Sequence, residues 1–167
     1  RAFPAIALSG PRQTGKSTLL KHLFSGQYRY TTFDDPITRE NALSDPNLFL
    51  DSAGERVILD EIQYVPELLQ YLKIRIDNDR SKKGRYILTG SQQFHLIKNL
   101  GESLAGRIAL FNLLPFSFIE ACQTPLLKSK KSTREIFLSL CMRSAFPEPL
   151  IDKSIAPELW FGTYLQT

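Results

Sequence analysis

Residues Gly10-Pro11-Arg12-Gln13-Thr14-Gly15-Lys16-Ser17 fit the pattern G-x-x-x-x-G-K-[ST] in full. The spacing has a physical cause. A loop that curls its backbone N–H groups around phosphate oxygens needs glycines where the chain bends hardest and where the ligand comes closest. A helix starting directly behind the loop adds the positive end of its dipole. In such a cradle the Lys16 ammonium reaches the β- and γ-phosphates, the Ser17 hydroxyl holds Mg²⁺, and Thr18 stands at the α-phosphate. Gly10 to Thr18 are therefore the candidate nucleotide contacts. The bland alternative is a glycine turn with a surface lysine. AIALSG before the motif is strand-like and STLLKHLF after it is helix-like, and that setting favours the cradle.

Forty-four residues beyond Lys16, the apolar run Val57-Ile58-Leu59 ends in Asp60-Glu61. A buried parallel strand delivers carboxylates to the ligand-bearing edge of a sheet in this way. Asp60 is the candidate to bind Mg²⁺ through water, opposite Ser17, and Glu61 to orient and polarise the attacking water. A strand ending in acids is common, so the pair gains its meaning from the phosphate loop upstream. A second apolar run, Tyr86-Ile87-Leu88, ends in Thr89-Gly90-Ser91. Thr89 and Ser91 are candidates to sense the γ-phosphate or the water, and a plain glycine turn explains them equally well. Arg107, just before the fifth strand, could stabilise transition-state charge in its own subunit or in a neighbour. It could also make a structural ion pair, and both readings stand. The chain has no Asn-Lys-x-Asp segment of the kind that reads guanine, so ATP is the expected nucleotide.

These residues need an α/β scaffold. Short apolar runs alternate with helical patterns, the signature of a parallel sheet covered on both faces. Strands are expected at 5–9, 28–33, 56–60, 85–89 and 108–113. Helices are expected from near Gly15, Pro36, Pro66 and Phe94, with Pro36 and Pro66 just inside their helix starts. After Leu114 the pattern changes to three helical segments, PFSFIEAC, STREIFLSLCMR and IAPELWFGTYLQT, separated by proline-rich breaks. The expected division is a nucleotide-binding core at 1–114 and a helical extension at 115–167, cut from a longer protein.

Composition bounds the rest. With 43% hydrophobic and 23% charged residues the chain is globular rather than disordered. Its apolar runs are too short to cross a bilayer, and the opening residues carry no secretory pattern, which points to the cytoplasm. Cys122 and Cys141 lack metal-ligand spacing and read as small core residues. Residues 1–79 hold nine Lys and Arg against eleven Asp and Glu, whereas residues 80–167 hold twelve against six. The basic segments Arg80–Arg85 and Lys128–Arg134 could bind DNA, but without interleaved aromatics a solvated surface is the favoured reading.

The segments GPRQTGKSTLLK, FDDP, VILDEIQYVPELL, LTGSQQF, SLAGR, LLPFSFIE and FPEP, in this order, resemble the prokaryotic AAA+-superfamily ATPases that often carry a C-terminal domain of unknown function. The resemblance spans Phe3 to about Leu165. It implies a P-loop NTPase three-layer sandwich with strand order 5-1-4-3-2, ATP and Mg²⁺ as ligands, and a C-terminal domain related to restriction-type nucleases as an intramolecular partner. Two departures stand out. Ser144-Ala145 replaces the usual Gly-Gly before FPEP, and the sequence stops at Thr167. Two function classes follow. One is an ATPase that drives a C-terminal module, and the other is a nucleotide-gated switch that recruits DNA or a protein partner, with a homo-oligomer among the possible assemblies.

Overall fold

Residues Val57–Asp60 and Tyr86–Gly90 are buried along their whole length, as continuous apolar runs at the centre of a parallel sheet must be. The computed structural model of the protein describes residues 2–91, 103–124 and 132–166. Its strands are β1 (Ala5–Ser9), β2 (Arg29–Thr32), β3 (Val57–Asp60), β4 (Tyr86–Gly90) and β5 (Ile108–Asn112). They form one sheet in the order β2-β3-β4-β1-β5, every pairing parallel. This is the expected 5-1-4-3-2 order read from the other edge. Register aligns the carboxyl ends, with Ser9 opposite both Gly90 and Asn112 and Thr32 opposite Asp60.

Helices cover both faces. On one face Leu8, Ile58 and Ile87 pack on Leu20 of α1 (Lys16–Phe24). On the other, Ala5, Ala7, Leu59 and Leu88 meet Leu68, Leu72 and Ile76 of α4 (Leu68–Asn78), together with Phe33. Each fully buried Leu or Ile of this set contributes about 1.5–3 kcal/mol relative to exposure. The helix expected from Pro36 is two helices, α2 (Pro36–Ser44) and α3 (Pro46–Ser52). Pro46 cannot continue α2, and the Asp45 side chain accepts the Leu48 N–H at 2.9 Å to start α3. Pro66 is not inside the helix. It lies in the turn between a 3₁₀ segment (Ile62–Tyr64) and α4, where Leu69 N–H reaches the Pro66 carbonyl at 3.1 Å. The helix expected near Phe94 lies outside the described residues.

By contacts the chain divides into two compact units, Arg1–Arg12 with Lys16–Leu113, and Gln13–Gly15 with Leu114–Thr167. The second unit contains α5 (Phe118–Gln123), α6 (Thr133–Arg143), α7 (Pro147–Ile151) and α8 (Pro157–Tyr164). Ser117 and Ser132 each open a helix with a reciprocal capping box, to Glu120 and Glu135. The short α7 was hidden in FPEP, whose Pro147 suits a helix start. Ala121, Ile136 and Leu150 form a small core. The Arg143 guanidinium ties the end of the unit together by donating to the carbonyls of Pro149, Asp152 and Ile155. Cys122 packs beside that core, but Cys141 is exposed on α6 and is not a core residue. Helical spacing alone did not tell which face of α6 turns inward.

Candidate functional site

The loop between β1 and α1 takes torsions that its glycines permit. Gly10 has φ +149° and Gly15 φ +90°, while Gln13 is held at φ +59°. Gly10 sits beneath the Leu113 carbonyl, so close that a Cβ there would collide with it. Lys16 is buried, and its Nζ donates to the carbonyls of Gly10 at 2.9 Å and Pro11 at 2.8 Å. Burial lowers its pKa, and the negative charges of Glu61 and then Asp60 partly offset this. Ser17 follows in the first turn of α1 and donates to Asp60 Oδ2 at 2.9 Å. Thr18 is exposed beside it.

Asp60 is the acceptor of three hydroxyls. Ser17 and Tyr30 reach Oδ2, and Thr89 reaches Oδ1. The contact follows from register, because Leu59 pairs with Leu88 and so sets Asp60 beside Thr89. Thr89 is fully buried and also accepts the Glu61 N–H at 3.3 Å. Glu61 turns off the strand in the left-handed region, φ 58° and ψ 47°, and its Oε2 accepts from Ser91 Oγ at 3.1 Å and from Gln63 Nε2. Lys16, Ser17, Asp60, Glu61, Thr89 and Ser91 thus gather at the carboxyl edge of the sheet.

Arg107 does not join them. It precedes β5, at the opposite, amino edge, where its backbone carbonyl accepts the Ala5 N–H. Its guanidinium grips Asp77 with both ends, at 2.8 and 2.7 Å. The structural ion pair is the reading this geometry supports within the chain. The basic segment after α4 lies at the same amino edge and is partly neutralised, with Arg80 on Asp77 and Lys82 on Glu55. Of the second basic segment, residues 128–131 lie outside the described residues.

Two site residues escaped the sequence reading. Tyr30, on β2, reaches across to Asp60, and burial followed by that hydrogen bond raises its pKa well above the usual tyrosine value. The Lys21 ammonium lies over its ring, 4.2 Å from the centroid. The alternation Tyr28-Arg29-Tyr30 hinted at a tyrosine facing α1, but not at its partner. Gln63 folds back onto Glu61 only because Glu61 takes a positive φ, which no residue type announces.

The doubly covered parallel sheet, the glycine-bounded loop leading into α1 and the acidic end of β3 define a nucleotide-binding domain of the P-loop class. A family described as an AAA domain matches residues 2–122, and the chain belongs to that family. It is similar to the uncharacterized protein Mb2031c of Mycobacterium bovis, 35% identical over 112 residues, and equally to the uncharacterized protein Rv2008c of Mycobacterium tuberculosis. The match covers 66% of this chain but 25% of each relative, so the chain spans about a quarter of the curated proteins it matches. Among the described residues, no helix is long and apolar enough to cross a membrane.

Proposed function

We propose that the domain hydrolyses ATP in a Mg²⁺-dependent reaction. The observation that carries this reading is the hydrogen bond from Ser17 Oγ to Asp60 Oδ2 at 2.9 Å. It joins the phosphate loop to the acidic strand and sets two hard oxygen donors side by side, a donor set that suits Mg²⁺ with its remaining positions left to water and phosphate. When bound, Mg²⁺ would supply positive charge to offset that of the phosphates. Gly10 to Gly15 cradle the phosphates through backbone N–H groups, and Lys16 leaves the loop carbonyls to pair with the β- and γ-phosphates. Ser17 would hold the metal directly and Asp60 would hold it through water. Glu61 accepts a proton as the water oxygen bonds to the γ-phosphorus and the bond to the β-phosphate oxygen breaks. Thr89 and Ser91 keep the two carboxylates aimed. Arg107 takes no part within its own chain, and a role in a neighbouring subunit would require the Asp77 pair to open.

Steady-state phosphate release tests this. Turnover should depend on Mg²⁺ and fall steeply in Glu61→Gln with ATP still bound. Equal rates in the two proteins would remove Glu61 from the reaction. ATP binding without turnover, accompanied by an ATP-dependent change in oligomeric state or DNA affinity, would establish the nucleotide-gated switch instead. Because the relatives are much longer than the matched segment, we assign hydrolysis the task of moving a further domain of the same polypeptide.

A further inference from the structure

Gln63 is not part of the phosphate loop or the acidic pair, yet it touches the reacting end of the site. Glu61 in the left-handed region opens the 3₁₀ turn Ile62–Tyr64, and this turn folds residue 63 back over residue 61. Gln63 Nε2 donates to Glu61 Oε2 and lies 3.4 Å from Ser91 Oγ, itself a donor to the same oxygen at 3.1 Å. The other end of the amide has no such match. Gln63 Oε1 is buried and accepts no hydrogen bond among the described residues. Leaving a buried acceptor unmatched costs the desolvation of that group with nothing in return. Turning the amide over would not relieve this, because it would press Oε1 against a carboxylate oxygen. The side chain is therefore committed to Glu61 at the expense of its own satisfaction, as residues that hold a working group often are.

We propose that Gln63 is a positioning residue for hydrolysis. Together with Ser91 it clamps Glu61 Oε2, so that Oε1 alone is presented to the attacking water in one fixed orientation. Thr89 completes the clamp by accepting the Glu61 N–H. The carboxylate is then held at its backbone and at one oxygen, and the second oxygen is left for proton transfer. This inference rests on the hydrolytic reading of Glu61.

Gln63→Met keeps the side-chain length and removes the donor. Phosphate release and the affinity for a fluorescent ATP analogue are measured on wild type, Gln63→Met, Glu61→Gln and the double variant of the whole chain. Misplacing the base should lower kcat of Gln63→Met by about ten- to a hundredfold, with KM and nucleotide affinity changed little. The double variant should be no slower than Glu61→Gln, since Gln63 acts only through that carboxylate. A Gln63→Met protein with wild-type kcat beside an inactive Glu61→Gln would overturn the positioning role and leave the hydrolytic reading standing. So would a parallel loss of kcat and affinity, which marks mere structural damage, or a further loss in the double variant. Full activity in Glu61→Gln would overturn the hydrolytic reading, and the role of Gln63 with it.

Discussion

Replacing Gly10 by alanine tests whether the phosphate loop is shaped by its first glycine. Gly10 has φ +149°, a torsion L-residues rarely adopt, and a Cβ there would strike the backbone carbonyl oxygen of Leu113 rather than a side chain able to swing aside. The torsion alone costs about 1–3 kcal/mol. Relieving the collision means pushing Leu113 away, which endangers the Leu113 N–H to Ser9 carbonyl bond of 2.8 Å and adds about 1 kcal/mol. The total is about 3 kcal/mol, or about 6–12 °C in Tm for a chain of this size. Gly26→Ala is the internal control. It has φ +74° with nothing within 4 Å of the added Cβ, so it carries only the left-handed penalty. That penalty, about 1–2 kcal/mol, is partly offset by the lower entropy of the unfolded chain and leaves a net shift of about 2–4 °C. Thermal unfolding by circular dichroism separates the two, and titration with a fluorescent ATP analogue should show binding lost in Gly10→Ala and kept in Gly26→Ala. If both variants melt together and bind alike, the contact between Gly10 and Leu113 does not shape the loop.

Because burial and the Asp60 hydrogen bond raise the Tyr30 pKa, its contribution to stability is complete below the usual value near 10 and is lost as the pH rises toward the folded value. Tyr30→Phe should therefore be less stable than wild type near neutrality, with the gap closing above pH 10 in urea unfolding. The Asp77 carboxyl is held below its usual value of 3.8 by Arg107 first and Arg80 second, so its contribution is present above that value and is lost as the pH falls through the folded one. Asp77→Asn should lower the unfolding midpoint at neutral pH and converge with wild type in acid, without changing nucleotide affinity.

The sheet was legible because β1, β3, β4 and β5 carry compact apolar runs and the strands alternate with helical spacing, whereas β2, Arg29-Tyr30-Thr31-Thr32, shows only β-favouring residues. Their order came from a resemblance, since periodicity does not say which strands are neighbours. The positions of the candidate residues were legible for a different reason, because Lys16 and Ser17 close a glycine-bounded loop motif at the start of α1 and Asp60 and Glu61 stand where the apolar run of β3 stops. What escaped depends on geometry across strands or on torsion. Tyr30 reaches Asp60 because β2 and β3 pair with Thr32 opposite Asp60, and Gln63 reaches Glu61 because of one positive φ. Arg107 was ambiguous in the sequence, where a lone arginine before a strand has no visible partner. The structure supplies Asp77, thirty residues earlier on α4.

The charges at the carboxyl edge lead to a prediction whose sign reverses with metal. Lys16 feels the attraction of Glu61 and Asp60 and the repulsion of Arg12, so two cations and two carboxylates share the neighbourhood of the loop. A triphosphate entering there adds several negative charges next to both acids. At an effective dielectric of about 20, a pair of unit charges about 4 Å apart repels by about 4 kcal/mol, and by half that at twice the separation. A divalent cation turns this opposition into attraction, because Asp60 then faces positive charge. Asp60→Asn should therefore tighten ATP binding in EDTA, where it removes repulsion, and weaken binding in Mg²⁺, where it removes a metal contact. With about 1.4 kcal/mol per tenfold, even a strongly screened version of this effect gives changes of about tenfold in opposite directions, readable by calorimetric titration in the two buffers. If Asp60→Asn changes affinity in the same direction with and without Mg²⁺, the carboxylate is acting as a hydrogen-bond hub for Ser17, Tyr30 and Thr89 alone, and the metal role assigned to it is wrong.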